Sequence, residues 1–145
     1  MMTKSYRAGG FTLLEVLLVI VILVALAAIL LPQLGAIGEG ARIDTTGLLI
    51  KTLQGKLETF KLNIGRYPTT SEGLNALIDA SELSDQDLAK RWRGPYIERS
   101  QLKDPWNNPI RYVQPGEHNE KGVDLASNGP DGQEGTDDDI TNWEK

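Results

Sequence analysis

Gly9-Gly10-Phe11-Thr12-Leu13-Leu14-Glu15-Val16-Leu17-Leu18-Val19-Ile20 opens the stretch that decides the fold of this chain. The apolar run it begins extends over residues 11–31, and Glu15 is the only charge inside it. A helix rises about 1.5 Å per residue, so roughly 20 residues cross the hydrocarbon core of a bilayer. A secretory signal has a shorter apolar core, about 7–15 residues, followed by a small-residue cleavage site. Here Pro32-Gln33-Leu34 follows instead. Lys4 and Arg7 precede the run, which predicts a cytoplasmic N-terminus and an exported remainder.

Glu15 is the anomaly. A carboxylate within a membrane helix costs a few kcal/mol on insertion scales. It either lies near the interface and is tolerated, or it has a partner. A free α-amino group at Phe11 would supply a cation at the right depth. Between staggered neighbouring helices such a pair could fix the axial register, as single buried polar groups do in other helix assemblies.

The quoted segment matches the type III signal of type IV pilin-like proteins. The resemblance implies that a membrane prepilin peptidase cuts after Gly10 and N-methylates the new N-terminal Phe11. It also implies that Glu15 is the assembly residue.

Outward from the run, the composition changes sharply. The formal net charge is −5, and removal of residues 1–10 takes away Lys4 and Arg7 and makes the remainder more acidic. Nine of the 20 acidic residues lie from Glu117 onward, so the acid is concentrated near the C-terminus. Such a balance argues against nucleic acid, whose phosphates need a basic face. There is no cysteine, so stability has to come from a core, a metal or assembly.

Pro32, Gly35, Gly38 and Gly40 make residues 32–40 the weakest part of the helix. A plain kink and a local unwinding in a fibre are both open readings of that stretch. Beyond it, Leu49, Leu53, Leu57, Phe60 and Ile64 form one apolar stripe, while Lys51, Lys56, Glu58 and Lys61 fall off it. Gly65 and Pro68 mark the stop. The pattern predicts one helix over about residues 11–63. Thr69-Thr70-Ser71-Glu72 reads as a capping box ahead of a short helix over 73–78. Ser84-Asp85-Gln86-Asp87 opens a second short helical stretch, predicted to end near Gly94-Pro95. Ile110-Arg111-Tyr112-Val113 reads as a strand and Val123-Asp124-Leu125-Ala126-Ser127 as its antiparallel partner. Trp92, Tyr96, Ile97, Trp106 and Leu125 are assigned to the core. The fold class is α+β: a long N-terminal helix, half transmembrane and half amphipathic, packed on a small antiparallel sheet with a C-terminal acidic loop. The expected organisation is a removed leader over 1–10, a transmembrane half over 11–31, a periplasmic helical half over 32–64 and a globular domain over 65–145.

Two further segments sharpen the resemblance. Asp104-Pro105-Trp106-Asn107-Asn108-Pro109 is similar to the DPW-G-NP segment of the major pseudopilins of type II secretion, with Asn107 where the family has Gly. Both residues tolerate left-handed backbone. The run from Gly65 to Leu74, Gly-Arg-Tyr-Pro-Thr-Thr-Ser-Glu-Gly-Leu, is similar to the same subfamily. The chain is thereby identified as a member of the G-type major pseudopilins.

Residues 127–139 hold four Asp, one Glu and three Gly. Their composition fits either a solvated acidic loop or a site for a hard cation, which takes six to eight oxygens from carboxylates and carbonyls. The spacing is not that of an EF-hand. The family resemblance implies one calcium here, with Asp131 and Asp138 as the main carboxylates, Asp139 adjacent, and carbonyls near Asn128 and Gln133 completing the shell.

The resemblance also implies the function. It is that of the major structural subunit of the type II secretion pseudopilus, a periplasmic fibre that drives export of folded proteins across the outer membrane. Implied partners are further copies of the chain, minor pseudopilins, the prepilin peptidase and the inner-membrane assembly platform. The implied location is single-pass in the inner membrane, with the C-terminal domain in the periplasm. A surface type IV pilin is the alternative, although most such pilins carry a C-terminal cysteine pair. An enzyme is not expected. His118 is the sole histidine and sits in a turn, and no nucleophile, phosphate-loop or zinc signature is present.

Overall fold

The computed structural model describes residues 12–144, and of residues 30–37 only the backbone. Gly10 and Phe11 lie outside the described residues. Helix α1 spans Leu13–Ile64. Thr12 caps it, its hydroxyl accepting from the Glu15 N–H at 3.2 Å. At the other end the Gly65 N–H bonds the Lys61 carbonyl at 2.7 Å, and Gly65 adopts φ +98°, the left-handed terminator that the sequence predicts. The chain divides into two units between Gly38 and Glu39.

In the first unit the large apolar side chains from Leu13 to Ile29 are all exposed. An apolar surface on every side of a helix has no place in water. Among the described residues no helix is long and apolar enough to cross a membrane. The described apolar side chains end at Ile29, and the sequence continues the run through Leu30 and Leu31.

The second unit is built around the later half of α1. Thr46, Ile50, Leu53, Leu57, Phe60 and Ile64 are buried, at spacings alternating between four and three residues. The stripe therefore enters the core through Ile50. Leu49, the expected entry, is only partly buried and packs at the margin of the cluster. The helix presents this stripe to Leu74, Leu77, Leu83, Ile97, Ile110, Val123 and Leu125. Each fully buried aliphatic side chain contributes about 1.5–3 kcal/mol of transfer free energy.

The sheet is three-stranded and antiparallel, in the order β1 (Arg111–Val113), β2 (Asp124–Ser127), β3 (Ile140–Thr141). Tyr112 pairs with Leu125, and Ser127 with Ile140. The β1–β2 pair is the one the alternating sequence predicts. β3 is a third strand of only two residues, too short to leave a periodic signal. All four residues of β2 are buried, so the central strand anchors both connections that leave it.

Three sequence expectations need correcting. Thr69 and Glu72 do form a capping box, with Thr69 N–H to Glu72 at 2.8 Å and Glu72 N–H to Thr69 Oγ1 at 3.2 Å. The box closes a turn, however, because Gly73 at φ +62° interrupts the backbone, and only a 3₁₀ segment, Leu74–Leu77, follows. Helix α2 covers Gln86–Ala89, capped by Asp85, and stops well short of Gly94-Pro95. The Trp92 indole N–H is held by the Ala76 carbonyl at 2.9 Å, which draws the chain off the helical path. Trp106 lies outside the core cluster, half-buried, and donates from Nε1 to Glu39 at 2.7 Å. Ile97 and Leu125 are core residues as assigned, and Trp92 and Tyr96 pack against the cluster while partly exposed.

Candidate functional site

Glu15 sits in the first turn of α1 beside Val16, Val19 and Ile20, and it is exposed. Among the described residues it enters no ion pair. A carboxylate set among apolar side chains is costly in a lipid environment.

The acidic loop is the connection between β2 and β3, residues 128–139. Its base is fixed by the turn before β1. Asp104 is buried, and its Oδ1 accepts from the N–H groups of Trp106 at 3.0 Å and Asn108 at 2.8 Å. Its Oδ2 accepts from the Ser127 hydroxyl at 2.6 Å. Asn107 adopts φ 72°, the left-handed backbone expected where the family has Gly. Asn108 then reaches across to the Gly129 carbonyl at 3.2 Å. The DPWNNP turn is thus a brace for the root of the loop.

Within the loop, Asp131 and Asp138 are brought together. Asp138 Oδ2 accepts from the Asp131 N–H at 3.1 Å. The Thr136 hydroxyl donates to Asp138 Oδ1 at 2.6 Å and lies 3.4 Å from Asp131 Oδ1. Asp131 Oδ1 also accepts from the Gln133 N–H at 2.8 Å. Gly129, at φ +60°, lets the two ends of the loop pinch: a side chain there would collide with the Asp138 carbonyl. Asp139 turns the other way. It is buried, and its Oδ2 accepts from Arg111 Nη2 at 2.8 Å and from the Gly135 N–H at 3.0 Å. Its Oδ1 is buried with no hydrogen-bond partner. Asn128 accepts from Arg111 Nε at 2.7 Å through its side chain and donates to the Gly132 carbonyl at 3.3 Å. Arg111 Nη1 pairs with Glu134.

Among the described residues no group of three or more His, Asp or Glu side chains is arranged to hold a metal. The groups that gather around the Thr136 hydroxyl are oxygens: the Asp131 and Asp138 carboxylates and the Gln133 carbonyl, on a glycine-rich backbone. That chemistry fits a hard cation such as calcium bound by two carboxylates and main-chain oxygens. It is less suited to zinc, whose protein sites are built mainly on cysteine sulfur and histidine nitrogen. Asp139, adjacent in sequence, has Oδ2 on Arg111 and the Gly135 N–H, while its Oδ1 is without a hydrogen-bond partner. The part played by Arg111 is absent from the sequence reading, where the residue appears only as a strand position. The available signal was one basic residue on the strand beside the acidic segment.

A second polar cluster braces the β1–β2 connection. Asp124 is buried and accepts from the His118 N–H at 2.9 Å, from the Asn119 N–H at 3.0 Å and from Asn119 Nδ2 at 3.0 Å. Burial alone would raise its pKa, but these bonds outweigh burial and lower it. His118 stacks on Trp143, with ring centroids 4.2 Å apart. His118 is therefore a turn residue in the structure, as in the sequence reading.

Residues 34–143 match the family model for type II secretion system protein G. Residues 6–31 match the prokaryotic N-terminal methylation motif. The type II secretion system core protein G of Aeromonas hydrophila is 42% identical over 140 residues, covering 97% of this chain and 95% of that protein. Its counterpart in Escherichia coli K12 is 43% identical over 142 residues, covering 98% and 95%. Among solved structures, the major pseudopilin from the type 2 secretion system of enterohaemorrhagic Escherichia coli matches with a TM-score of 0.62 and 32% identity. That match covers 74% of this chain and 87% of the other.

Proposed function

The chain belongs to the type II secretion system protein G family, and on that premise we propose how its parts serve a major pseudopilin. Cleavage after Gly10 leaves Phe11 as a methylated N-terminus, and the apolar helix that follows anchors the subunit in the inner membrane with its globular unit in the periplasm. Subunits then leave the bilayer by packing helix against helix into the pseudopilus, with Glu15 of each meeting the N-terminal amine of a neighbour. The observation that carries this reading is the apolar surface exposed on every side of α1 from Leu13 to Ile29, with one carboxylate set into it. Lipid and then neighbouring helices are environments that satisfy such a surface.

On the same premise we propose calcium as the ligand of the acidic loop. Asp131 and Asp138 would hold calcium, with carbonyls near Asn128 and Gln133. When bound, the ion would neutralise the converging carboxylates and tie the two ends of the loop together. Minor pseudopilins, the prepilin peptidase and the inner-membrane platform are the remaining partners of the proposal. The type IV pilin alternative is not favoured, because similarity to protein G extends through the globular unit, residues 34–143.

Intact-mass measurement of the chain extracted from membranes tests this. The expected mass is that of a chain beginning at N-methylated Phe11. A mature chain that still begins at Met1 would overturn the proposal.

A further inference from the structure

Arg111 projects from β1 and reaches three points spaced along the acidic loop. It binds Asn128 at the start at 2.7 Å, Glu134 in the middle, and Asp139 at the end at 2.8 Å. β1 is a rigid base for such a reach. It pairs with the fully buried β2, and the neighbouring Tyr112 hydroxyl donates to the Pro68 carbonyl at 2.7 Å.

A second observation is independent of the fork. The Asp139 side chain is only 5% exposed, yet just one of its two oxygens is bonded. A buried carboxylate left without a cation is strongly destabilising. The guanidinium is the charge partner of Asp139 inside the fold, at 2.8 Å, while Asp131 and Asp138 face each other elsewhere in the loop.

We propose that Arg111 is the resident cation of the acidic loop. It holds residues 128–139 closed when no metal is bound. It also keeps Asp139 and Glu134 out of the metal shell, reserving Asp131 and Asp138 for a divalent ion. The loop thus carries a division of labour: one fixed positive charge maintains its shape, and one exchangeable positive charge completes it. Arg111 acts as a positioning residue, through the loop and not on the ion. This inference rests on the calcium reading above.

The test uses the full-length processed chain in detergent, with calcium chloride or EGTA. The readouts are near-ultraviolet melting and cleavage at Glu134 by a glutamate-specific protease. The wild type is expected to melt lower in EGTA while the Glu134 bond stays protected. Arg111→Met in EGTA is expected to melt about 10 °C below the wild type and to be cut about tenfold faster or more. Calcium should restore most of both losses, and Arg111→Lys should fall between. If Arg111→Met proves too unstable to purify, Asp139→Asn removes the paired charge with little change of shape and should loosen the loop in EGTA in the same way. Equal protection of wild type and Arg111→Met in EGTA would overturn the inference while leaving the calcium reading intact. A wild type indifferent to EGTA would overturn the calcium reading. In that case the tether is judged by Arg111→Met alone: loss of protection in both buffers supports it, and no loss refutes it.

Discussion

Truncating Glu72 should unfold the globular unit more readily than any surface change. Its carboxylate takes five hydrogen bonds: Arg66 Nη1 at 2.7 Å and Nη2 at 2.8 Å, the Thr69 N–H at 2.8 Å, the Ser84 N–H at 3.0 Å and the Ser84 hydroxyl at 2.7 Å. Its side chain is 3% exposed and that of Arg66 is 33% exposed. Glu72→Ala strands two backbone donors, at about 1 kcal/mol or more each, and breaks the ion pair. Arg66 can turn to water, so the total falls at the lower end for broken buried pairs, about 3 kcal/mol. For a unit of this size that is a fall in Tm of roughly 12–20 °C. Glu72→Gln keeps the shape and part of the bonding, and should lose about half as much. The pH dependence gives a second check. Arg66 above all, then Ser84 and Thr69, hold the Glu72 carboxyl well below the usual carboxylate range, against the effect of burial. Because the folded pKa is depressed, the stabilisation is complete above the unfolded value, about 4.3. It is lost as pH falls below that value. The gap in Tm between wild type and Glu72→Gln should be constant above about pH 5 and shrink between pH 4 and pH 2. Near-ultraviolet melting of the processed chain in detergent reads all of this. A Glu72→Ala loss below about 3 °C, or a gap unchanged at pH 3, would refute the reasoning.

Leu57→Ala removes a fully buried side chain from the centre of the α1 stripe. It should cost about 3 kcal/mol by the same melting assay. Gly129→Ala forces a side chain into left-handed backbone and against the Asp138 carbonyl. It should lower Tm and weaken calcium binding measured by titration calorimetry, since the loop can no longer pinch.

The parts of this fold that were legible in the sequence are those fixed by local chemistry. The α1 terminator is a glycine at φ +98°, the Thr69–Glu72 box is a four-residue exchange of hydrogen bonds, and β1 and β2 are two short strand-like runs separated by a connection that opens with Pro115-Gly116. What was hidden depends on distant partners. Leu49 and Ile50 are equally apolar, and only the position of the opposing layer decides that Ile50 faces inward. Trp106 reads as a core residue until Glu39, 67 positions away, supplies an acceptor for its indole. Glu72 reads as a cap, but its larger role needs Ser84 from a different turn. In the acidic loop the carboxylates are obvious, while their division between Arg111 and the Asp131–Asp138 pair depends on how β1 lies against the β2–β3 connection.

The central claim is that these helices assemble because a carboxylate in an apolar surface needs a cation from an adjoining subunit. The direct measurement is fibre formation by Glu15→Ala in cells carrying the whole secretion apparatus, read by electron microscopy of sheared fibres. The membrane fraction is assayed alongside for insertion and for N-terminal processing. The account predicts a chain that is inserted, cut and methylated like the wild type but yields no fibres. Normal fibres from Glu15→Ala would contradict it.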